Sequence, residues 1–121
     1  MRIKMQVLEA MPKTTSSDVD DQIYEMQVRI CKAFANSSRL RMLDMLAKRE
    51  HAVADIQSEL GLSAPNISQH LAILKAAGVV TTRREGKQIF CSLTIPEVKQ
   101  ACSLIREVLR AQVRKGQKLV I

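Results

Sequence analysis

Apolar residues recur along the chain with two different periods, and the change from one to the other outlines the fold. After Ser17, the positions Val19, Ile23, Met26 and Ile30 follow at spacings of four, three and four, the signature of an α-helix. Ser17 is a suitable cap, and Asp18, Asp20 and Asp21 put negative charge where a helix N-terminus favours it. Tyr24, Val28 and Cys31 widen the apolar stripe, so this helix is predicted to pack on its own domain and on a partner subunit. Asn36, Ser37 and Ser38 break the pattern and can cap a second helix, in which Leu40, Leu43 and Leu46 face inward with Met42 beside them.

Two further helices are predicted, from about Val53 to Leu60 and from Ala64 to Ala77. Ala54, Ile56 and Leu60 give the first its apolar side, Gly61 permits a sharp turn, and Ser63 offers a hydroxyl to cap the second. Ile67, Leu71 and Leu74 must face a core, which leaves Pro65, Asn66, Ser68, Gln69 and part of His70 toward solvent or a partner. Amides and hydroxyls near a helix N-terminus can bond base edges and phosphates, so this pair reads as a helix-turn-helix with its second helix in a DNA major groove. Gly78 is a natural stop.

There the period falls to two. Val79 to Thr82 are β-branched, Gln88 to Leu93 alternate, and the basic tip between them carries Arg84, Gly86 and Lys87, a β-hairpin wing suited to the DNA backbone or minor groove. Ile89, Cys91 and Leu93 share one face of its second strand, where Cys91 reads first as a packing residue. Pro96 opens a last helix whose face of Ala101, Leu104, Ile105, Val108 and Leu109 is too wide for so small a chain to cover, which makes a second copy the economical partner. The predicted class is therefore mainly α with a small β-hairpin, with residues 1–16 as an N-terminal arm, 17–116 as the DNA-binding and dimerisation domain, and 117–121 as a tail.

Charge sharpens this picture. Nineteen Lys and Arg against 12 acidic residues leave a formal net charge of +7, which points to a polyanionic partner. Arg39 starts the second helix and is placed to reach a phosphate, whereas Arg41, Lys48 and Arg49 read as a solvated face. The only aromatic residues are Tyr24, Phe34 and Phe90, too few for the stacking platforms that single strands require, so duplex DNA is favoured. No secretory signal or membrane-length apolar run is present, and a cytoplasmic protein with Cys31, Cys91 and Cys102 as thiols is expected. Neither a nucleophile with a base, a phosphate loop nor a carboxylate pair stands out, so no catalytic residue is assigned; His51 and His70 lack ligand partners at usable spacing, so no metal site is assigned to them.

The segments ANSSRLRMLDML, ELGLSAPNISQHLAILKAAGVV and RREGKQIFCSL resemble, in order and spacing, the ArsR/SmtB winged-helix repressors, over roughly Ile30 to Leu109. The resemblance implies a winged helix-turn-helix homodimer, joined through its first and last helices, that binds operator DNA and releases it when an effector arrives. By motif position it assigns DNA contacts to Ser63, Pro65, Asn66, Ser68, Gln69 and His70, with Arg84 and Lys87 on the wing. The family's known sensing sites do not carry over. Ala52 and Ala54 stand at the Cys-x-Cys positions, Ile95, Glu97, Val108 and Ala111 at the carboxylate and histidine positions of the last helix, and Asp44 and Arg110 at the dithiol positions.

Because the first and last helices pack together in this family, Cys31 and Cys102 are left as candidates for effector sensing, with Cys91 as a third ligand. Two such thiolates can take a metalloid, a soft metal, a disulfide or a polysulfide link. Two alternatives stay open: a winged-helix regulator without cysteine-based sensing, and a protein-interaction module of the same fold.

Overall fold

The computed structural model describes residues 16–116, so the expected arm apart from Ser16, and the expected tail, lie outside the described residues. The elements are α1 (Ser16–Phe34), α2 (Ser37–Lys48), β1 (His51–Ala52), α3 (Val53–Leu60), α4 (Ala64–Ala76), β2 (Val80–Glu85), β3 (Gln88–Leu93) and α5 (Glu97–Arg114). None of the described helices is long and apolar enough to cross a membrane.

Local chemistry sets most of the boundaries. Asn36 caps α2 by accepting the Arg39 backbone N–H on Oδ1 at 3.0 Å. Gly61, at φ 65°, ends α3 in the left-handed conformation that a Cβ would disfavour, and two residues later the Ser63 hydroxyl accepts the Asn66 N–H at 3.4 Å to start α4. This compact turn sets the angle between α3 and α4. Pro65, in the first turn of α4, sacrifices no intrahelical hydrogen bond there.

The core forms where these elements converge. Met42, Leu43 and Leu46 of α2, Ile56 of α3, and Ile67, Leu71 and Leu74 of α4 are buried together with Ala33, Val79, Val80, Cys91 and Val98. Met42 is fully buried while Leu40 is 37% exposed, so the inward stripe of α2 is turned from the expected one toward Met42, Leu43 and Leu46. Ala54 is likewise exposed, leaving Ile56 as the buried anchor of α3 with Leu60 partly buried against the core.

The hairpin is part of a three-stranded antiparallel sheet of order β1-β3-β2, with Val80 opposite Leu93 and Glu85 opposite Gln88. Gly86 and Lys87 make its two-residue turn, and the positive φ of Gly86, 62°, suits the first position of a turn that follows strand twist. Strand β1 was not expected, since two residues have no period to read; His51 pairs with Cys91 and Ala52 with Phe90. Ile89 does not join the core face with Cys91 and Leu93, because near the hairpin tip the sheet extends past the helices, and it remains 44% exposed. The result is a helix-turn-helix followed by a wing.

Helices α1 and α5 leave apolar side chains uncovered: Tyr24, Met26, Val28 and Ile30 on the first, and Leu104, Ile105, Val108, Leu109 and Val113 on the second. An apolar surface of this extent on a small chain is characteristic of an interface between subunits.

Candidate nucleic-acid interface

Helix α4 divides into two faces. Ile67, Leu71 and Leu74 fasten it to the core, while Ser63, Pro65, Asn66, Ser68 and Gln69 are exposed around its first turns. Apart from Pro65, the exposed set consists of small hydroxyls and carboxamides, which can donate to and accept from base edges. Ser63 both caps the helix and stands in this exposed strip, and His70 is half-buried at its border.

At the wing tip, Arg84 and Lys87 are exposed, and neither side chain joins a hydrogen bond or ion pair among the described residues. Arg83 behaves otherwise. Its guanidinium grips Glu50 from two nitrogens, at 3.0 and 2.6 Å, bonds Glu85 at 2.7 Å and lies 4.6 Å from the Phe90 ring centroid. The hydrogen bond from Arg83 holds the Glu50 carboxyl below the usual carboxylate range, and the same contacts raise the Arg83 pKa. Arg83 thus fastens the wing to the chain before β1, while Arg84 and Lys87 beyond it stay exposed. The Lys75 ammonium donates to Thr82 Oγ1 at 3.1 Å, tying the end of α4 to β2. These contacts link the wing to the recognition helix and the chain just before β1.

Arg39 departs from the expected role. Instead of extending from α2 to solvent, it donates from Nε to Ala33 O at 2.7 Å and from Nη2 to Lys32 O at 3.2 Å, and its Nη1 approaches His70 Nδ1 at 3.3 Å. The cause is the carbonyl-rich end of α1, where the helix dipole is negative and Lys32 O, though it already accepts the Ala35 N–H at 3.2 Å, has a second lone pair for the cation. His51 is also engaged within the fold, donating from Nε2 to Met45 O at 3.0 Å. Residue separations of 31 for Arg39–His70 and 33 for Arg83–Glu50 explain why no local pattern announced either pair.

The cysteines fall in three environments. Cys31 is exposed on α1, Cys102 is half-buried on α5, and Cys91 is fully buried at the centre of the sheet. Burial pushes the Cys91 thiol up to about 11, and burial, followed by the nearby Asp44 carboxylate, also raises that of Cys102. Cys91 therefore packs as a core residue, as its place on the inner face of β3 suggested, with its sulfur covered by the surrounding side chains. Among the described residues no group of three His, Cys, Asp or Glu side chains is gathered to hold a metal. Cys102 lines a cleft between α2 and α5 beside an ion pair of Arg106 with Asp44. Within the protomer, α5 packs mainly on α2, while α1 packs on α2 and α4.

Comparison with known proteins agrees with this architecture. Residues 36–82 match the model of the bacterial regulatory protein, arsR family. The transcriptional activator HlyU of Vibrio cholerae is 41% identical over 81 residues, covering 67% of this chain and 75% of that protein. Its structure superposes with a TM-score of 0.64 at 39% identity, over 70% of this chain and 92% of that one. A biofilm growth-associated repressor of Xylella fastidiosa is 29% identical over 105 residues, covering 87% of this chain and 91% of the relative. The homodimeric winged helix-turn-helix DNA-binding domain of a possible ArsR-family regulator from Mycobacterium bovis matches with a TM-score of 0.72 at 27% identity, over 92% of this chain and 100% of that one. With the helix-turn-helix, the wing and these relatives in agreement, the chain belongs to the arsR family of bacterial regulatory proteins, DNA-binding regulators of transcription with a winged helix-turn-helix fold.

Proposed function

We propose that the protein is a homodimeric, sequence-specific repressor that binds double-stranded operator DNA and releases it on sensing an effector. The observation that carries this reading is the exposed strip Ser63, Pro65, Asn66, Ser68 and Gln69 at the start of α4, together with the exposed wing cations Arg84 and Lys87. The strip reads bases, and the cations hold the backbone. Uncovered apolar faces on α1 and α5 support a second copy, as does the homodimeric relative from M. bovis. A twofold dimer presents two copies of α4 to successive major grooves on one side of a duplex. The X. fastidiosa relative is named a repressor, which supports repression; HlyU is named an activator, so the sign of regulation belongs in the test.

Retardation of a palindromic duplex, selected by the protein from a random pool, tests DNA binding. Steep loss of affinity with salt, together with repression of a reporter placed behind that duplex, is the expected result. No retardation at low salt refutes it in favour of a protein-interaction module, and activation of the reporter refutes repression alone.

Effector sensing through thiols is the finer part of the reading. It draws support from the exposure of Cys31 and partial exposure of Cys102 on the two helices that carry the uncovered apolar faces. DNA release is to be measured against arsenite, zinc, cadmium, peroxide and polysulfide, with Cys31→Ser and Cys102→Ser beside the wild type. A response abolished by either substitution supports thiol sensing; equal responses in all three proteins retire it.

A further inference from the structure

Arg39 stands at the meeting point of three helices. It belongs to the first turn of α2, where Asn36 Oδ1 holds its backbone N–H. Nε and Nη2 donate to Ala33 O and Lys32 O at the negative end of α1, Lys32 O also accepting the Ala35 N–H. Two nitrogens of a rigid planar fork are thereby fastened to backbone, and the third points at α4, with Nη1 3.3 Å from His70 Nδ1.

A guanidinium has donors only, so Nδ1 must accept, and the imidazole proton resides on Nε2. Among the described residues every buried side-chain nitrogen or oxygen has a hydrogen-bond partner. Nε2 of His70 has none, so this atom opens to solvent. His70 follows Gln69 on α4, at the border of the exposed strip.

We propose that Arg39 is a positioning residue for DNA reading: anchored on the end of α1, it fixes the tautomer and orientation of His70 so that the recognition helix presents a single outward donor, Nε2–H. This inference rests on the DNA-binding reading above. A donor so fixed matches guanine O6 or N7, adenine N7 or thymine O4, and it rejects the amino group of cytosine. A ring freed from Arg39 can turn or exchange tautomers, and it then offers an acceptor as readily as a donor.

The full-length protein supplies both arms of the test. The protein contains two histidines, so long-range proton–nitrogen spectra resolve each ring, and His51, held on Met45 O, serves as the internal reference. Arg39→Met is expected to move the Nδ1 resonance of His70 and leave that of His51 in place. In the second arm, Arg39→Met, His70→Asn and the double variant are titrated against a duplex selected by the wild type from a random pool, and against an unselected duplex. His70→Asn keeps an acceptor near Nδ1 but lacks Nε2–H.

Each single substitution is carried by both protomers and is expected to weaken the selected duplex by about ten- to a hundredfold, three- to tenfold for the one hydrogen bond lost in each, with the unselected duplex little changed. The double variant is expected to bind no more weakly than His70→Asn. Additive losses, equal losses on both duplexes, or an unmoved His70 resonance overturn the proposal while leaving the repressor reading intact. Arg39→Lys, which keeps a cation at the end of α1, covers the case in which Arg39→Met does not fold. It is expected to show the same loss, and wild-type affinity in it reduces Arg39 to a helix-end charge. A wild-type protein that selects no duplex overturns the functional reading and this proposal with it.

Discussion

The two faces of α4 are expected to separate under substitution, and Ile67 and Gln69 make the cleanest pair. Ile67 is 1% exposed and packs in the core with Leu71 and Leu74, while Gln69, two residues on, is exposed. Ile67→Ala removes buried methyl and methylene groups from a position that α2 and α3 cannot readily collapse upon, so a loss of about 3 kcal/mol is expected within the usual range for this change. For a domain of this size that lowers Tm by roughly 12 to 24 °C. Gln69→Ala touches no core atom, and its effect on stability should stay within about 0.5 kcal/mol. The assay is thermal and urea unfolding at fixed protein concentration, since a dimer's stability depends on concentration. Duplex titration is then done well below both transitions. Ile67→Ala should keep the sequence preference of whatever fraction is folded, and Gln69→Ala should lose preference while remaining stable. If Gln69→Ala left affinity and preference unchanged, or unfolded as easily as Ile67→Ala, the assignment of the two faces would be wrong.

Other expectations follow from single contacts. Lys87→Ala should weaken selected and unselected duplexes alike and flatten the logarithmic salt slope by about 0.9 for each protomer, which a titration series across salt concentrations measures. Glu50 has its carboxyl lowered by the Arg83 hydrogen bond, so the wing contact is complete above the ordinary carboxylate pKa of about 4.3 and is lost as pH falls through the lowered folded value. Phe90 resonances should report that acid transition in the wild type and not in Arg83→Met, because the guanidinium lies over that ring. The Cys91 pKa is raised to about 11 by burial, so its stabilising contribution is intact below the unfolded thiol pKa and is lost as pH rises toward the folded one. Cys91→Val should therefore be less sensitive to alkali, as pH-dependent unfolding will reveal. With a thiol reagent at neutral pH, Cys91 should label only on unfolding; rapid labelling of Cys91 would contradict its burial.

Much of the site was legible because its signals are local. Helical spacing separated Ile67, Leu71 and Leu74 from Asn66, Ser68 and Gln69, and the structure keeps that separation. Gly61 and Ser63 marked the turn through backbone freedom and a capping hydroxyl, both properties of single residues. Periodicity was less informative where an element was short or lay beyond the core. Strand β1 is two residues long, Ile89 alternates correctly but sits past the helices, and Leu40 occupies the edge of a stripe that Met42 enters instead.

The sequence by itself determined the order of elements, the exposed polar face of α4, the basic wing and the two apolar helices that need a partner, since each depends on residues a few positions apart. Tertiary structure alone decided which cations are free. Arg83 and Arg84 are neighbours of identical chemistry, yet among the described residues one is held by Glu50 and Glu85 while the other has no partner. Arg39, placed by sequence to meet a phosphate, is turned inward by the carbonyls of α1 and by His70. Charge is carried by the residue, but its partner is set by what the folded chain brings within about 3 Å, and no spacing along the sequence encodes that distance.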